Sequence, residues 1–348
     1  MGEEFEEKML ILHEVNTMDK RLYKMMGAAL ATSLWLAPVS VQAAHIDFDR
    51  HSHESASQTA VHHERQTTAK AQQTAKAVQA EPSWYWLGSD DKYSKYFDPA
   101  SVVITASVVT DRGKVPTEIK VWTKTTYSYG GAQETLEAYG LSSKFPDPNQ
   151  LAYSTAQLVI KPQYRTIQYA AEHFYNKNGE IIWSKADPKA VEKEINSQQF
   201  DEDFYAAAVD QAFHQNVEKE RVTAKNRWLT VFDVTTTDGV RTHIKADTST
   251  MRMHGENLVF WQWQETKDHS GQVREIKFLK MAVNLPQATE KAIAGKYWTP
   301  AEGWKSLEAA IDGQYRMVTP NSPEYKYIVE LRHYVENNYA WVHRYSLE

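Results

Sequence analysis

The chain has no cysteine. That excludes a disulfide framework, a thiolate metal site, a cysteine nucleophile and a lipid-modified cysteine anchor. It also lacks a basic excess. The formal net charge is -6 and no Lys/Arg run dominates, so generic nucleic-acid binding is not indicated. No Walker loop, dinucleotide fingerprint, His-Glu-x-x-His or Gly-x-Ser-x-Gly stretch is present. Asp90-Asp91 and Asp201-Glu202-Asp203 match no calcium-loop pattern and sit at turn and helix-start positions. These absences leave no catalytic residue, metal ligand or cofactor to assign. The 348-residue length fits two or three domains.

The apolar stretch Met25–Ala37 is too short for a membrane span, which needs about 20 residues. Lys20, Arg21 and Lys24 precede it and Val41-Gln42-Ala43 follows it. This is the layout of a secretory signal. It predicts a start at Met18, a mature chain from Ala44 with no transmembrane segment, and export to the periplasm, cell surface or medium. Residues 1–43 are read as signal plus an upstream extension. Residues 44–82 are rich in Ala, Gln, Thr, Lys and His and predict a disordered stalk, because so few large apolar groups cannot offset chain ordering. The stalk histidines, His45, His51, His53, His62 and His63, lack the rigid spacing of a metal site.

From Trp84 onward the chain is rich in Trp and Tyr and alternates with the period of half-buried strands. Gln163–Tyr169 echoes Gln272–Phe278, with Arg165 and Arg274 at the same place. Ile195-Asn-Ser-Gln198 echoes Ile311-Asp-Gly-Gln314. Tyr205, Val209, Ala212 and Phe213 repeat the spacing of Tyr327, Leu331, Tyr334 and Val335. The pattern predicts an α+β fold: two tandem copies of an antiparallel β-meander, each packed by a C-terminal helix. Copy one is 83–214, a solvated helical connector is 215–226, and copy two is 227–348. Short helices are expected over Pro188–Ile195 and from Thr299-Pro300 through Ile311. Gly130–Gln150 reads as a loop or insertion.

Trp84, Tyr96-Phe97-Asp98-x-x-Ser101-Val102, Val121-Trp122-x-Lys124, Arg165 and Tyr175-Asn-Lys-Asn-Gly179 together resemble the surface-adhesin protein E type of bacterial envelope domain. The resemblance covers about Trp84–Phe213 and is fainter in the second half, where Asp247-x-x-Thr250-Met251 replaces Asp98-x-x-Ser101-Val102. It implies an antiparallel sheet on a C-terminal helix and a link with host-matrix binding or with haem. It supplies no catalytic residues.

Five residues stand out as candidate ligand contacts: Arg165, Arg274, Trp122, Trp261 and Trp263. The arginines suit an anionic ligand, or are solvent-facing strand residues or ones paired with a local acid such as Glu172 or Glu275. The indoles suit a groove for sugar, haem or peptide, or belong to the core. The expected function is an exported, non-catalytic binding or adhesion module whose partner is a protein, glycan or small molecule. A periplasmic haem-type ligand carrier is the alternative, and an enzyme of unrecognised type the third reading.

Overall fold

The computed structural model describes residues 82–111 and 113–347. The stretch expected to be a signal, and the one expected to be a stalk up to residue 81 with its histidines, lie outside them. Among the described residues no helix is long and apolar enough to cross a membrane.

Two eight-stranded antiparallel sheets follow one another along the chain. The first comprises β1 (Tyr85–Ser89), β2 (Tyr93–Phe97), β3 (Val103–Thr110), β4 (Gly113–Tyr127), β5 (Tyr153–Lys161), β6 (Thr166–Tyr175), β7 (Ile181–Ala186) and β8 (Lys193–Glu194). Its order is β1-β2-β4-β5-β6-β7, with β3 beside β4 and β8 beside β6. The second comprises β9 (Trp228–Thr235), β10 (Arg241–Asp247), β11 (Arg252–His254), β12 (Asn257–Lys267), β13 (Val273–Asn284), β14 (Thr289–Thr299), β15 (Gly303–Ser306) and β16 (Arg316–Met317). Its order, β15-β14-β13-β12-β10-β9, is the same connectivity read from the other edge, with β11 beside β12 and β16 beside β14. Each strand of the first sheet therefore has its counterpart eight strands on.

The alternation explains the layering. Along β4, Ile119, Val121, Thr123 and Thr125 are buried while Lys120, Trp122 and Lys124 point to the other face. Helix α1 (Tyr129–Ala138) fills the long β4–β5 connection, and α2 (Glu202–Phe213) ends the first copy. Tyr205, Ala208 and Val209 of α2 share a core with Phe97, Ile119, Leu158, Ile160 and Ile167. A short α3 (Val217–Thr223) leads to the second sheet. There α4 (Tyr325–Asn337) and α5 (Tyr339–Val342) close the chain. Tyr327, Ile328 and Leu331 pack on Val231, Leu258, Phe260, Met281 and Val283. Both helix stripes thus cover the sheet of their own copy. Each large side chain so buried contributes roughly 1.5–3 kcal/mol.

Several expectations are corrected. Gly130–Gln150 is an insertion, but it contains α1. Its Ala132 and Leu136 form a separate core with Phe145, Leu151 and Phe174. Pro188–Ile195 is not helical; it turns into β8, whose Glu194 pairs with Thr166. The stretch after Thr299 is likewise a hairpin into β15, followed by one 3-10 turn at Glu308–Ala310, because cross-strand pairing overrode the local helix signals. The connector does not simply extend α2: His214 breaks the helix in the left-handed region (φ 54°). Most of residues 215–226 are exposed, as expected of a solvated connector, but Glu218 is fully buried.

The register of the internal repeat also differs from the one expected. Arg165 lies in the β5–β6 turn, not on a strand, and its counterpart is Ala288. Both residues have positive φ (53° and 51°). The N–H groups of Ile195 and Val318 donate to the Arg165 and Ala288 carbonyls respectively, each at 2.8 Å. Ile195 therefore matches Val318, not Ile311. Gln272–Phe278 opens β13, which corresponds to β5, one strand earlier than Gln163–Tyr169. The Asp98/Asp247 echo is correct. Ser101 and Thr250 hydroxyls donate to the carbonyls of Asp98 (2.7 Å) and Asp247 (2.8 Å), and accept from the backbone N–H of Trp122 (2.8 Å) and Trp261 (2.9 Å).

Candidate functional site

Arg165 is 2 % exposed, although it belongs to a turn. Its Nε donates to the Ile195 carbonyl at 2.8 Å. Nη1 reaches Glu218 at 3.2 Å and the Ser249 carbonyl at 3.1 Å, and Nη2 reaches Glu202 at 2.6 Å. Glu202 opens α2 and is also held by both terminal nitrogens of Arg227, at 2.8 and 2.7 Å. Arg227 in turn grips Asp247 with Nε and Nη2, at 3.0 and 2.8 Å. Glu218, on α3, accepts from Arg344 (2.8 Å) and the Tyr345 hydroxyl (2.8 Å) as well. Arg252 donates to the Tyr205 hydroxyl at 3.0 Å. Three carboxylates and four guanidiniums from both copies thus share one buried network. Burial pushes the Glu218 carboxyl up, but Arg344, Arg252 and Arg165 outweigh it and hold the group down at about 2.

These partners satisfy Arg165 internally, so its role is to join the copies, not to clamp a ligand. Arg274 has no equivalent role. It sits near the start of β13 with its side chain 56 % exposed, 3.6 Å from Asp268. The two arginines are not brought together and do not occupy matching positions. Neither is paired with Glu172 or Glu275: Glu172 accepts from the Tyr139 hydroxyl, and Glu275 pairs with Lys277.

Trp122 and Trp261 do match, on β4 and β12. Each points away from its helix. On the second sheet the first copy reaches this outer face at Trp261 and Lys280. Glu194 accepts from the Trp261 indole at 3.1 Å and from Lys280, the cross-strand neighbour of Trp261, at 2.7 Å. Trp261 stacks on Phe278 at 4.7 Å, and Trp263 meets Trp304 edge-on at 6.0 Å. Trp261 is therefore part of an internal contact between the copies, whereas Trp263 packs against Phe278 and Trp304 of its own sheet.

No family model matches the chain, and no curated protein matches it.

On the first sheet the same face carries a ladder of rings. Trp122 stacks with His173 at 5.9 Å, the planes 20° apart. Tyr153 and Tyr175 stack at 4.6 Å, 9° apart. Lys124 lies over Tyr153 at 4.4 Å and over Trp84 at 5.8 Å, and burial lowers the pKa of its ammonium. All six of these side chains are half-buried, and every ring and cation contact above is within the first copy. Only Trp122 of this group stands out in the sequence as a candidate. The others were legible in parity: Tyr153 and Tyr175 fall on the strand positions that alternate away from Ser154 and Phe174. Among the described residues no group of three or more His, Asp or Glu is arranged to hold a metal ion.

Proposed function

We propose that this chain is an exported, non-catalytic binding or adhesion module of the bacterial envelope, and that it meets its partner with the outer face of the first sheet. One observation carries the reading. Glu194 of the first copy already engages Trp261 and Lys280 on the outer face of the second sheet, whereas among the described residues the ring and cation contacts around Trp122, Tyr153 and Tyr175 lie within their own copy. Flat, partly exposed rings bordered by a lysine suit the faces of sugars or the side chains of a protein surface. The resemblance of Trp84–Phe213 to surface-adhesin protein E domains supports the same reading.

The test is binding of the purified chain to an immobilised glycan array and to plated matrix proteins. Trp122→Ala and Tyr153→Ala are expected to weaken any bound partner about tenfold or more, the loss typical of a stacked anchor, while Arg274→Ala leaves binding unchanged. Equal binding by all three variants would sink the proposal. A haem titration followed at the Soret band separates the ligand-carrier alternative: no shift is expected. Fractionation into medium, envelope and periplasm tests export.

A further inference from the structure

A cavity of about 150 Å³ lies where the two copies meet the end of the chain. Gln163 and Tyr164 of the β5–β6 turn line one side, Arg252 and Met253 of β11 a second, and Val342 and Leu347 a third. The Tyr164 ring of the first copy stacks on His254 of the second at 6.1 Å, so both copies also build its rim. No Asp or Glu is among the described residues that line it.

The cation in its wall is short of counter-charge. Arg252 is 5 % exposed. Its Nη1 donates to the Thr250 carbonyl at 3.2 Å and its Nη2 to the Tyr205 hydroxyl at 3.0 Å. Among the described residues it meets one carboxylate, Glu218, at 3.4 Å. Glu218 is already shared with Arg344 at 2.8 Å and Arg165 at 3.2 Å. The Arg252 Nε is buried and finds no hydrogen-bond partner among the described residues. Burial, and after it the like charge of Arg344, push the Arg252 guanidinium down from its ordinary range. A buried charge is costly unless it is paired and hydrogen-bonded. Here the pairing inside the chain stops at one shared carboxylate, and an anion in the cavity would supply the rest.

The other walls decide what kind of anion fits. Met253, Val342 and Leu347 are apolar, and Tyr345 adds a ring. A phosphate would press several hydrated oxygens against them, which is unfavourable. A single carboxylate on an apolar body matches one guanidinium facing apolar walls. At about 10–15 Å³ for each water-sized position, the space suits a molecule of roughly ten non-hydrogen atoms. That is too small for a glycan chain or a haem.

We infer that this cavity binds a small organic monocarboxylate, with the carboxylate against Arg252 and the apolar body against Met253, Val342 and Leu347. The site shares no residue with the aromatic face of the first sheet, so it is a second binding function and not a part of the first. Because both copies line it, the bound acid stabilises their contact by mass action.

Calorimetric titration and thermal melts of the full chain with butyrate and benzoate, at fixed ionic strength, test it. Butylamine and inorganic phosphate are the controls. Saturable one-to-one binding and a raised melting midpoint are expected with the two carboxylates, and neither with the controls. Arg252→Gln is expected to weaken binding about ten- to a hundredfold, the factor that a charged hydrogen bond carries. Arg252 also supports the buried network, so a second variant leaves that network whole. Leu347 is 41 % exposed, and Leu347→Asp sets a like charge in the wall. It is expected to weaken carboxylate binding at least tenfold, with circular dichroism and the ligand-free midpoint unchanged. Failure of both carboxylates to saturate overturns the inference. So does phosphate binding as tightly as they do, or Leu347→Asp binding as the parent does. None of these results touches the partner-binding face, which Trp122→Ala and Tyr153→Ala test separately.

Discussion

Arg165 and Ala288 occupy one position in two copies of a fold, with φ of 53° and 51° and the same 2.8 Å hydrogen bond to their carbonyls. In the first copy the position faces the second copy, and a guanidinium there reaches Glu202, Glu218 and the Ser249 carbonyl. In the second it belongs to the core around Leu285 and Val318, and a methyl group fills it. One backbone site thus carries an interface in one copy and packing in the other.

Removing the Arg165 side chain leaves Glu218 and Glu202 short of a partner in a dry junction. Breaking a buried pair from one side costs about 3–5 kcal/mol. Arg165→Ala is expected to lose stability in that range in urea unfolding. Arg274→Ala, on an exposed strand start, should stay within about 0.5 kcal/mol of the parent. Equal effects would show that the network contributes nothing specific.

Much of the fold was legible in the sequence, and the misreadings share a cause. Strand existence, the helix stripes at Tyr205 and Tyr327 and the Asp98/Asp247 echo followed from periodicity and turn chemistry. The repeat register did not, because Gln163–Tyr169 spans a turn and a strand start while its alternation imitates a continuous strand. The short β8 and β16 carry two residues each, too few for any period to show. The partners of Arg165 and Trp261 were invisible for another reason. Glu218 and Glu194 are 53 and 67 residues away from them, and only the docking of one copy on the other brings them together. Trp122 and Trp261 were paired correctly because both follow the same Asp-x-x-Ser/Thr turn, whose hydroxyl fixes the strand next to it.

Leu331 is fully buried between α4 and the second sheet. Truncation there removes transfer free energy and leaves a cavity, at a cost of about 2–5 kcal/mol. Leu331→Ala should lower the thermal midpoint clearly. A melt that overlays the parent would mean that α4 does not cover the second sheet in solution.

Gly131 reverses the usual helix rule. In an exposed helix, alanine in place of glycine stabilises by about 1 kcal/mol. A Cβ on Gly131, in the first turn of α1, would stand 2.3 Å from the Lys92 carbonyl oxygen and 3.1 Å from the Tyr93 ring. Backbone cannot yield as a side-chain tip can, and overpacking of this kind costs about 1–3 kcal/mol. Gly131→Ala is therefore expected to destabilise, whereas Gly130→Ala, with nothing within 4 Å, should be neutral or stabilising. The opposite ordering in paired melts would place α1 away from the β1–β2 turn.

Acid should open the junction through Glu218. Its folded pKa is held at about 2, against 4.5 for an ordinary glutamate. The folded state binds fewer protons there than the unfolded chain does. The contribution is therefore fully present above about pH 4.5 and is lost as the pH falls toward about 2. Its size is on the order of 3 kcal/mol, from the separation of the two values. Urea unfolding at neutral pH and at two acid points reads it. The parent should lose stability across that window. Glu218→Gln should already be weaker at neutral pH, because Arg344, Arg252 and Arg165 lose their shared anion. The gap between parent and variant should narrow steadily as the pH falls. A gap that stays constant with pH would mean that Glu218 is protonated in the folded protein and the guanidiniums are balanced by other carboxylates.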